Sequence, residues 1–152
     1  MTDTRSLRLI HGTRQTAIVV EDTETSREIL NSLLHQVSPN IEVKSFRDAD
    51  TAIAYARTTT ADLVLMDYRL PGMDGIEAVR ALREIEDYLD VPIVMITVEN
   101  DRDVRHRALD AGVTDFLAKP VDLYECLARC RNLLLLRWYA KGRGTPPSEP
   151  RQ

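Results

Sequence analysis

Residues 61–67 read ADLVLMD, an apolar run that ends in the carboxylate of Asp67, and no other stretch constrains the fold as strongly. Apolar runs of strand length between turn formers are typical of parallel strands that are buried on both faces. Asp67 would then lie at the carboxyl end of a strand, the edge where open α/β sheets place their binding sites. Taken alone, Asp67 could instead simply begin the turn that Pro71 and Gly72 continue, so the rest of the chain has to decide.

The same unit, a short apolar strand followed by a helical pattern, recurs along most of the chain. Apolar runs predict strands at 17–20, 41–45, 61–67, 92–96 and 113–117. Capping residues and apolar positions at helical spacing predict five helices, with start signals that include Thr23 or Thr25, Asp48, Asp101 and Asp122. This alternation indicates an α/β fold, in which helices cover both faces of a parallel sheet through right-handed crossovers.

Composition limits the class of protein. The chain has 152 residues, 43% hydrophobic and 29% charged, which suits one globular domain. A net charge of -4 and the lack of a Lys/Arg block argue against a nucleic-acid-binding surface, so protein partners are expected. No apolar run approaches the roughly 18 residues of a membrane span, and we expect a cytoplasmic location. We predict a flexible leader at 1–15, one domain at 16–140 and a flexible tail at 141–152.

Five polar side chains are expected to meet at one edge of the predicted sheet. Carboxyl ends of the strands carry them in chain order: Glu21, Asp22, Asp67, Thr97 and, just past the last strand, Lys119. Three carboxylates brought together without a cation repel one another and raise one another's pKa values. A hard divalent ion relieves this repulsion, and Mg²⁺ is the usual ion where a few carboxylates share it with water and phosphate oxygens.

With these spacings, and with the sequence PGMDG at 71–75, this set closely resembles the receiver domain of two-component response regulators. The resemblance covers about residues 16–138. It implies the flavodoxin-like (βα)5 fold, a three-layer sandwich around a five-stranded parallel sheet of strand order 2-1-3-4-5. The segment 126–134 is also weakly similar to receivers joined to cyclic-dinucleotide phosphodiesterase domains.

The resemblance further implies a Mg²⁺-dependent phosphorylation site. Asp67 would be the phosphoacceptor, loaded by a histidine kinase or phosphotransfer protein. Glu21 and Asp22 would hold Mg²⁺ together with Asp67 and the backbone carbonyl of Arg69.

Three further residues match the family's phosphoryl-sensing positions. By resemblance, Lys119 contacts the phosphoryl group, Thr97 is the switch hydroxyl and Phe116 the switch aromatic. Elementary chemistry agrees with these roles. A compact ammonium can neutralise phosphoryl oxygens, and a hydroxyl that moves toward the phosphoryl group leaves space for the aromatic ring.

Two other functions compete with a phosphorylated switch. One is a dimerisation or docking module with a receiver fold that phosphorylation does not regulate. The other is a Mg²⁺-dependent phosphohydrolase with Asp67 as nucleophile, which is disfavoured because Arg69 stands where a second Asp would act as acid. The complete set of site residues favours the switch. We therefore expect self-phosphorylation and self-dephosphorylation at most, not an enzyme with an external product.

The helices are expected to pack on the sheet through apolar stripes, which are predicted to include Ile29, Leu89 and Leu123. The last helix differs, because residues 133–139, LLLLRWY, are apolar almost all round. An exposed helix would not tolerate such a surface. We predict that this segment packs against a second chain, giving a homodimer, or against an output domain. The alternative is that it folds back on its own domain.

Two charged residues flank the mouth of the predicted site. Arg69 stands two residues after the phosphoacceptor, and Glu99 two residues after Thr97. In the expected fold they face each other across the path of a hydrolytic water. Arg69 would then shield the acyl phosphate from hydrolysis, unless Glu99 orients the water and speeds it. Both could also be ordinary solvated side chains.

Overall fold

The computed structural model describes residues 14–98 and 100–142. The predicted leader up to residue 13, the tail from residue 143 and Glu99 lie outside the described residues. The elements, in chain order, are β1 (Gln15–Val20), α1 (Glu24–Val37), β2 (Ile41–Phe46), α2 (Ala49–Ala56), β3 (Leu63–Asp67), α3 (Gly75–Arg83), a 3₁₀ turn (Glu86–Tyr88), β4 (Ile93–Thr97), α4 (Arg102–Ala111), β5 (Asp115–Ala118) and α5 (Leu123–Ala140).

The five strands form one parallel sheet of order β2-β1-β3-β4-β5. This is the predicted α/β fold and strand order. The central strands β1, β3 and β4 are largely apolar because both of their faces are covered by helices. β1, β3 and β4 lie next to one another in the middle of the sheet, so the residues that follow them are brought together.

Alternate residues of each central strand point to opposite helix layers. On one face, Ile18 of β1 and Met66 of β3 pack with α2, α3 and α4. On the other face, Val19 and Leu65 pack with α1 and α5. Because both layers are filled by fully buried side chains, the sheet edge that carries the polar residues is held between two packed cores.

Start signals in the sequence correspond to real helix caps. The carboxylates of Asp48, Asp101 and Asp122 each accept a hydrogen bond from a backbone N–H in the first turn of the following helix. Thr23 is the N-cap residue of α1, but its side chain makes no capping hydrogen bond. Gly112 ends α4 with φ of 109°, a left-handed conformation that favours glycine.

Several predicted details were wrong. β1 begins at Gln15, two residues before the predicted strand at 17–20. Ile29, Leu89 and Leu123 were predicted on packing faces, yet they are 47%, 64% and 54% exposed. Tyr88 is fully buried instead of Leu89, because the 3₁₀ turn after α3 changes the helical spacing and directs its hydroxyl to the backbone N–H of Ala61 (2.9 Å).

The last helix folds back on its own domain for much of its length. Leu134, Arg137 and Trp138 are buried within the same chain. Leu136, at 64% exposed, is the large apolar residue of the 133–139 segment that stays open to solvent. The prediction that this whole segment needs a partner chain was therefore wrong about its packing. Within the described ranges, no helix combines the length and the apolar character that crossing a bilayer requires.

Candidate functional site

The carboxyl edge of the sheet carries the predicted polar residues. Glu21 follows β1, Asp67 ends β3, Thr97 ends β4 and Lys119 follows β5. Glu21, Asp67 and Thr97 are each at most 5% exposed, which is unusual for polar side chains without a structural or functional reason. Convergence at this edge results directly from the strand order, since the four strands are neighbours.

Three carboxylates form the acidic part of the site. Glu21, Asp22 and Asp67 each offer one oxygen atom, and these three atoms lie within 4.8 Å of one another. Glu21 and Asp67 are buried, whereas Asp22 is exposed. An all-oxygen set with one solvent-facing carboxylate fits a hard cation that keeps part of its water shell, as Mg²⁺ does.

Lys119 supplies the positive charge. Its Nζ donates to Asp67 Oδ2 at 3.0 Å and to Glu21 Oε2 at 3.2 Å. Burial alone would lower the pKa of Lys119, but its hydrogen bonds and charge attraction to Asp67 and Glu21 outweigh burial, so the net pKa is raised. The ammonium therefore stays charged at neutral pH. The Lys119-Pro120 peptide bond is cis.

One ammonium does not neutralise three carboxylates, and Glu21 carries the consequence. Burial, together with the hydrogen bond and negative charge of Asp67, raises the pKa of Glu21 to about 7, although Lys119 acts in the opposite direction. A site whose carboxylates resist ionisation in this way is stabilised by an added cation.

The loop after β3 closes tightly on the backbone of Asp67. The Arg69 backbone N–H donates to Asp67 Oδ1 at 3.3 Å, and the Gly75 N–H donates to the Tyr68 carbonyl at 2.8 Å. A Cβ atom at Gly75 would lie 2.4 Å from the Asp67 carbonyl oxygen, closer than real side chains approach. Glycine is therefore required at position 75 for the loop to lie against the end of β3. The sequence PGMDG indicated a turn and contributed to the family resemblance, but it did not reveal this close approach.

Thr97 and Phe116 lie on neighbouring strands and on the same face of the sheet. β4 and β5 pair Met95 with Phe116 and Thr97 with Ala118, so side chains two residues apart share a face. Thr97 also accepts the backbone N–H of Lys119 on its carbonyl at 3.0 Å. Phe116 is half-buried, and the guanidinium of Arg105 lies 5.3 Å from its ring centroid, within the range of a cation–π contact.

Arg27 is a residue of this region that the sequence did not reveal. It lies in the first turns of α1, and its Nη1 donates to the carbonyls of Glu21 at 2.8 Å and Asp22 at 3.0 Å. No motif announces this contact. The one available signal was a basic side chain close after an acidic pair.

Arg69 is exposed, and its predicted partner Glu99 lies outside the described residues.

Comparison with known proteins agrees with this geometry. A family model described as response regulator receiver domain matches residues 17–131. The cyclic di-GMP phosphodiesterase response regulator RpfG of Xanthomonas campestris pv. campestris is 42% identical over 120 residues, which is 79% of this chain and 32% of RpfG. The chain thus spans about a third of the length of that relative.

Solved structures give the same result. The receiver domain of the sensor histidine kinase PA1611 from Pseudomonas aeruginosa PAO1, with a magnesium ion in its active site cleft, matches at a TM-score of 0.72 and 30% identity, covering 80% of this chain and 98% of that one. The chemotaxis response regulator CheY4 of Vibrio cholerae matches at a TM-score of 0.73 and 26% identity, covering 80% and 99%. From sequence, fold and site together, the chain belongs to the family of response regulator receiver domains.

Proposed function

We propose that Asp67 accepts a phosphoryl group from a histidine kinase or phosphotransfer protein and that the acyl phosphate changes what the domain binds. The observation that carries the proposal is the ammonium of Lys119, held between the buried carboxylates of Asp67 and Glu21. A transferred phosphoryl group would meet this positive charge on arrival.

The transfer itself needs one nucleophile. A carboxylate oxygen of Asp67 attacks phosphorus of a phosphohistidine, a P–O bond forms, and the P–N bond breaks with its electron pair returning to the imidazole. Lys119 balances negative charge on the phosphoryl oxygens. Glu21, Asp22, Asp67 and the carbonyl of Arg69 would hold Mg²⁺, which supplies further charge neutralisation when bound.

Thr97 and Phe116 are the proposed switch pair. The Thr97 hydroxyl would donate to the phosphoryl group, and Phe116 would occupy the space that the threonine leaves. Their shared face on adjacent strands supports this coupling. The half-buried position of Phe116 is consistent with a ring that moves between an inner and an outer orientation.

A phosphodonor protein would approach over the apolar rim of the site. Ile29 and Leu123, both about half exposed, line a groove of about 310 Å³ that also reaches Glu21 and Lys119. Such exposed apolar side chains beside a charged site are typical of a transient protein interface. We propose a cytoplasmic location, since histidine kinases present their phosphoryl groups there, and an output domain or effector protein as the downstream partner.

A homodimer through α5 remains part of the proposal, although its surface is smaller than the sequence suggested. Leu136 is its exposed apolar residue, because Trp138 packs within its own domain. Sedimentation at tens of micromolar protein, with and without phosphorylation, tests this point. A monomer in both states would remove the dimer.

Incubation with Mg²⁺ and acetyl phosphate, followed by intact-mass measurement, tests the proposed function. We expect one added phosphate on the wild type, none on Asp67→Asn, and one on Asp74→Asn. The last is a matched control in the same loop, where asparagine can replace the capping carboxylate that binds the Glu77 N–H. An unmodified wild type would instead favour a docking module that phosphorylation does not regulate.

A further inference from the structure

We infer that Arg27 is a positioning residue for the acidic part of the site. It holds the backbone of the residues that carry the carboxylates and does not pair with the carboxylates themselves. This inference rests on the proposed Mg²⁺ site. Nη1 of Arg27 donates to the carbonyls of both Glu21 and Asp22, the two consecutive residues whose side chains would hold the ion.

The loop between β1 and α1 is short, so one side chain can fix its backbone conformation. Residues 21–23 connect Val20, the last residue of β1, to Glu24, the first of α1. At its start, the Glu21 N–H donates to the Phe46 carbonyl of β2 at 3.0 Å. Arg27 holds the next two peptide units through the carbonyls of Glu21 and Asp22. Fixing three successive peptide units of the backbone restricts where the two carboxylates can point.

Arg27 does not act as a counter-ion to Glu21, whose carboxylate pairs with Lys119. Its bonds go to carbonyl oxygens, which keep their geometry whether or not the carboxylates are charged. A guanidinium donating to two backbone acceptors forms charge-assisted hydrogen bonds, which are stronger than neutral ones. Arg27 is also only partly exposed, so water competes less well for these acceptors.

Positioning and simple electrostatics predict opposite signs for the loss of Arg27. If the guanidinium mattered only as a positive charge near the site, its removal would tighten Mg²⁺ binding by relieving repulsion. If it positions the loop, its removal must weaken binding because the carboxylates are no longer held together. We expect Arg27→Gln to weaken Mg²⁺ binding about five- to tenfold, which corresponds to the net contribution of about one ordinary hydrogen bond.

Arg27→Lys keeps the positive charge but changes the hydrogen-bond donor, so it separates the effect of the donor from the effect of the charge. Both bonds come from a single nitrogen, so a lysine ammonium can replace part of the contact, although its shorter side chain reaches less far. We therefore expect an affinity between those of the wild type and Arg27→Gln. The matched control is Arg47→Gln, which removes an exposed charge directly after β2, at the same sheet edge but outside the loop.

Calorimetric titration of the unphosphorylated chain with Mg²⁺ measures these affinities without any phosphodonor. Thermal unfolding in Mg²⁺-free buffer checks that each variant is folded. Unchanged or tighter Mg²⁺ binding by a folded Arg27→Gln would overturn the inference, as would an equal loss in Arg47→Gln. A wild type that binds no Mg²⁺ would count against the proposed function itself, and the two failures are therefore distinguishable.

Discussion

The two ends of β3 carry buried carboxylates in opposite electrostatic settings. At the carboxyl end, Asp67 shares its site with two further carboxylates and one ammonium, Lys119. At the amino end, Asp62 accepts the Thr16 backbone N–H at 2.9 Å and the Lys141 ammonium at 3.0 Å. The Arg137 guanidinium lies 3.8 Å from the same carboxylate.

Charge is balanced at one end and not at the other. Arg137, with 4% of its side chain exposed, also donates to Asp90 at 2.8 Å. Two cations thus face two carboxylates at the amino end of β3, and they fix the end of α5 to the domain. At the carboxyl end, three carboxylates share the ammonium of Lys119, and the pKa of Glu21 is raised to about 7. The difference supports the proposal that the carboxyl end receives a further cation, whereas the amino end is structural.

Removing Arg137 should give the largest effect on stability. We expect Arg137→Met to lower the free energy of unfolding by about 3 kcal/mol, because it removes a buried guanidinium that faces buried Asp62 and pairs with exposed Asp90. Urea unfolding followed by circular dichroism and by the fluorescence of Trp138, the single tryptophan of the chain, measures it. Trp138 adjoins Arg137, so its emission also reports release of the helix end.

The control for that change is Arg131→Met on the same helix. Arg131 lies outside this cluster, and its loss should change stability by less than about 0.5 kcal/mol. Equal effects of the two substitutions would show that the balanced cluster contributes nothing specific.

Neutralising the two ends of β3 should have effects of opposite sign. Asp62→Asn should destabilise the fold by about 1–3 kcal/mol, because Lys141 loses its carboxylate acceptor and the buried Arg137 guanidinium loses a nearby negative charge. Asp67→Asn should leave stability unchanged or raise it in Mg²⁺-free buffer, since it relieves repulsion with Glu21. Denaturant unfolding of both variants under the same conditions provides the comparison. Equal destabilisation by both would contradict the assignment of structural and functional ends.

Mg²⁺ should stabilise the fold by binding at the carboxyl end of β3 only. At ten times its dissociation constant, the ion should add about 1.4 kcal/mol to the unfolding free energy of the wild type. Asp67→Asn should lose most of this increment, whereas Arg137→Met should keep it. Thermal unfolding with and without Mg²⁺ measures the effect, and chelated buffer free of divalent ions gives the reference state. An increment that disappears in Arg137→Met would place the ion at the wrong end.

The fold and most of the site follow from short-range features of the sequence. Parallel strands buried on both faces leave apolar runs, and the residue after each run must lie at one sheet edge. That is why the sequence alone predicts that Asp67 and Lys119 lie close together, although 52 positions separate them. Capping aspartates such as Asp122 are equally local signals.

What the sequence did not reveal depends on long side chains and distant partners. Arg137 and Asp62 are 75 residues apart in the chain (137 − 62), and no sequence pattern near either residue predicts that the two lie close together. An apolar helix end shows that something covers it, but not whether the cover is its own domain or a second chain. For that reason the sequence pattern places Trp138 on a partner surface, whereas the residue is in fact buried within the domain.

The smallest expected effect concerns the mouth of the site. Arg69 is exposed, so shielding of the acyl phosphate by its guanidinium should be worth less than about 1 kcal/mol. We expect phosphate loss from Arg69→Ala to be faster than from the wild type by at most about fivefold. Following the half-life of phosphorylated protein at fixed Mg²⁺ measures this, with Glu99→Ala alongside. Identical half-lives for the wild type and Arg69→Ala would remove the shielding role.

The central claim, that one end of β3 receives a cation and the other does not, is tested most directly by amide chemical shifts during a Mg²⁺ titration. We predict saturable shifts at residues 21, 22 and 67–69, and none beyond those of bulk ionic strength at residues 62, 90 and 137. Matched NaCl additions provide the ionic-strength reference. Saturable shifts of equal size at both ends, or none at residues 21, 22 and 67–69, would contradict the account.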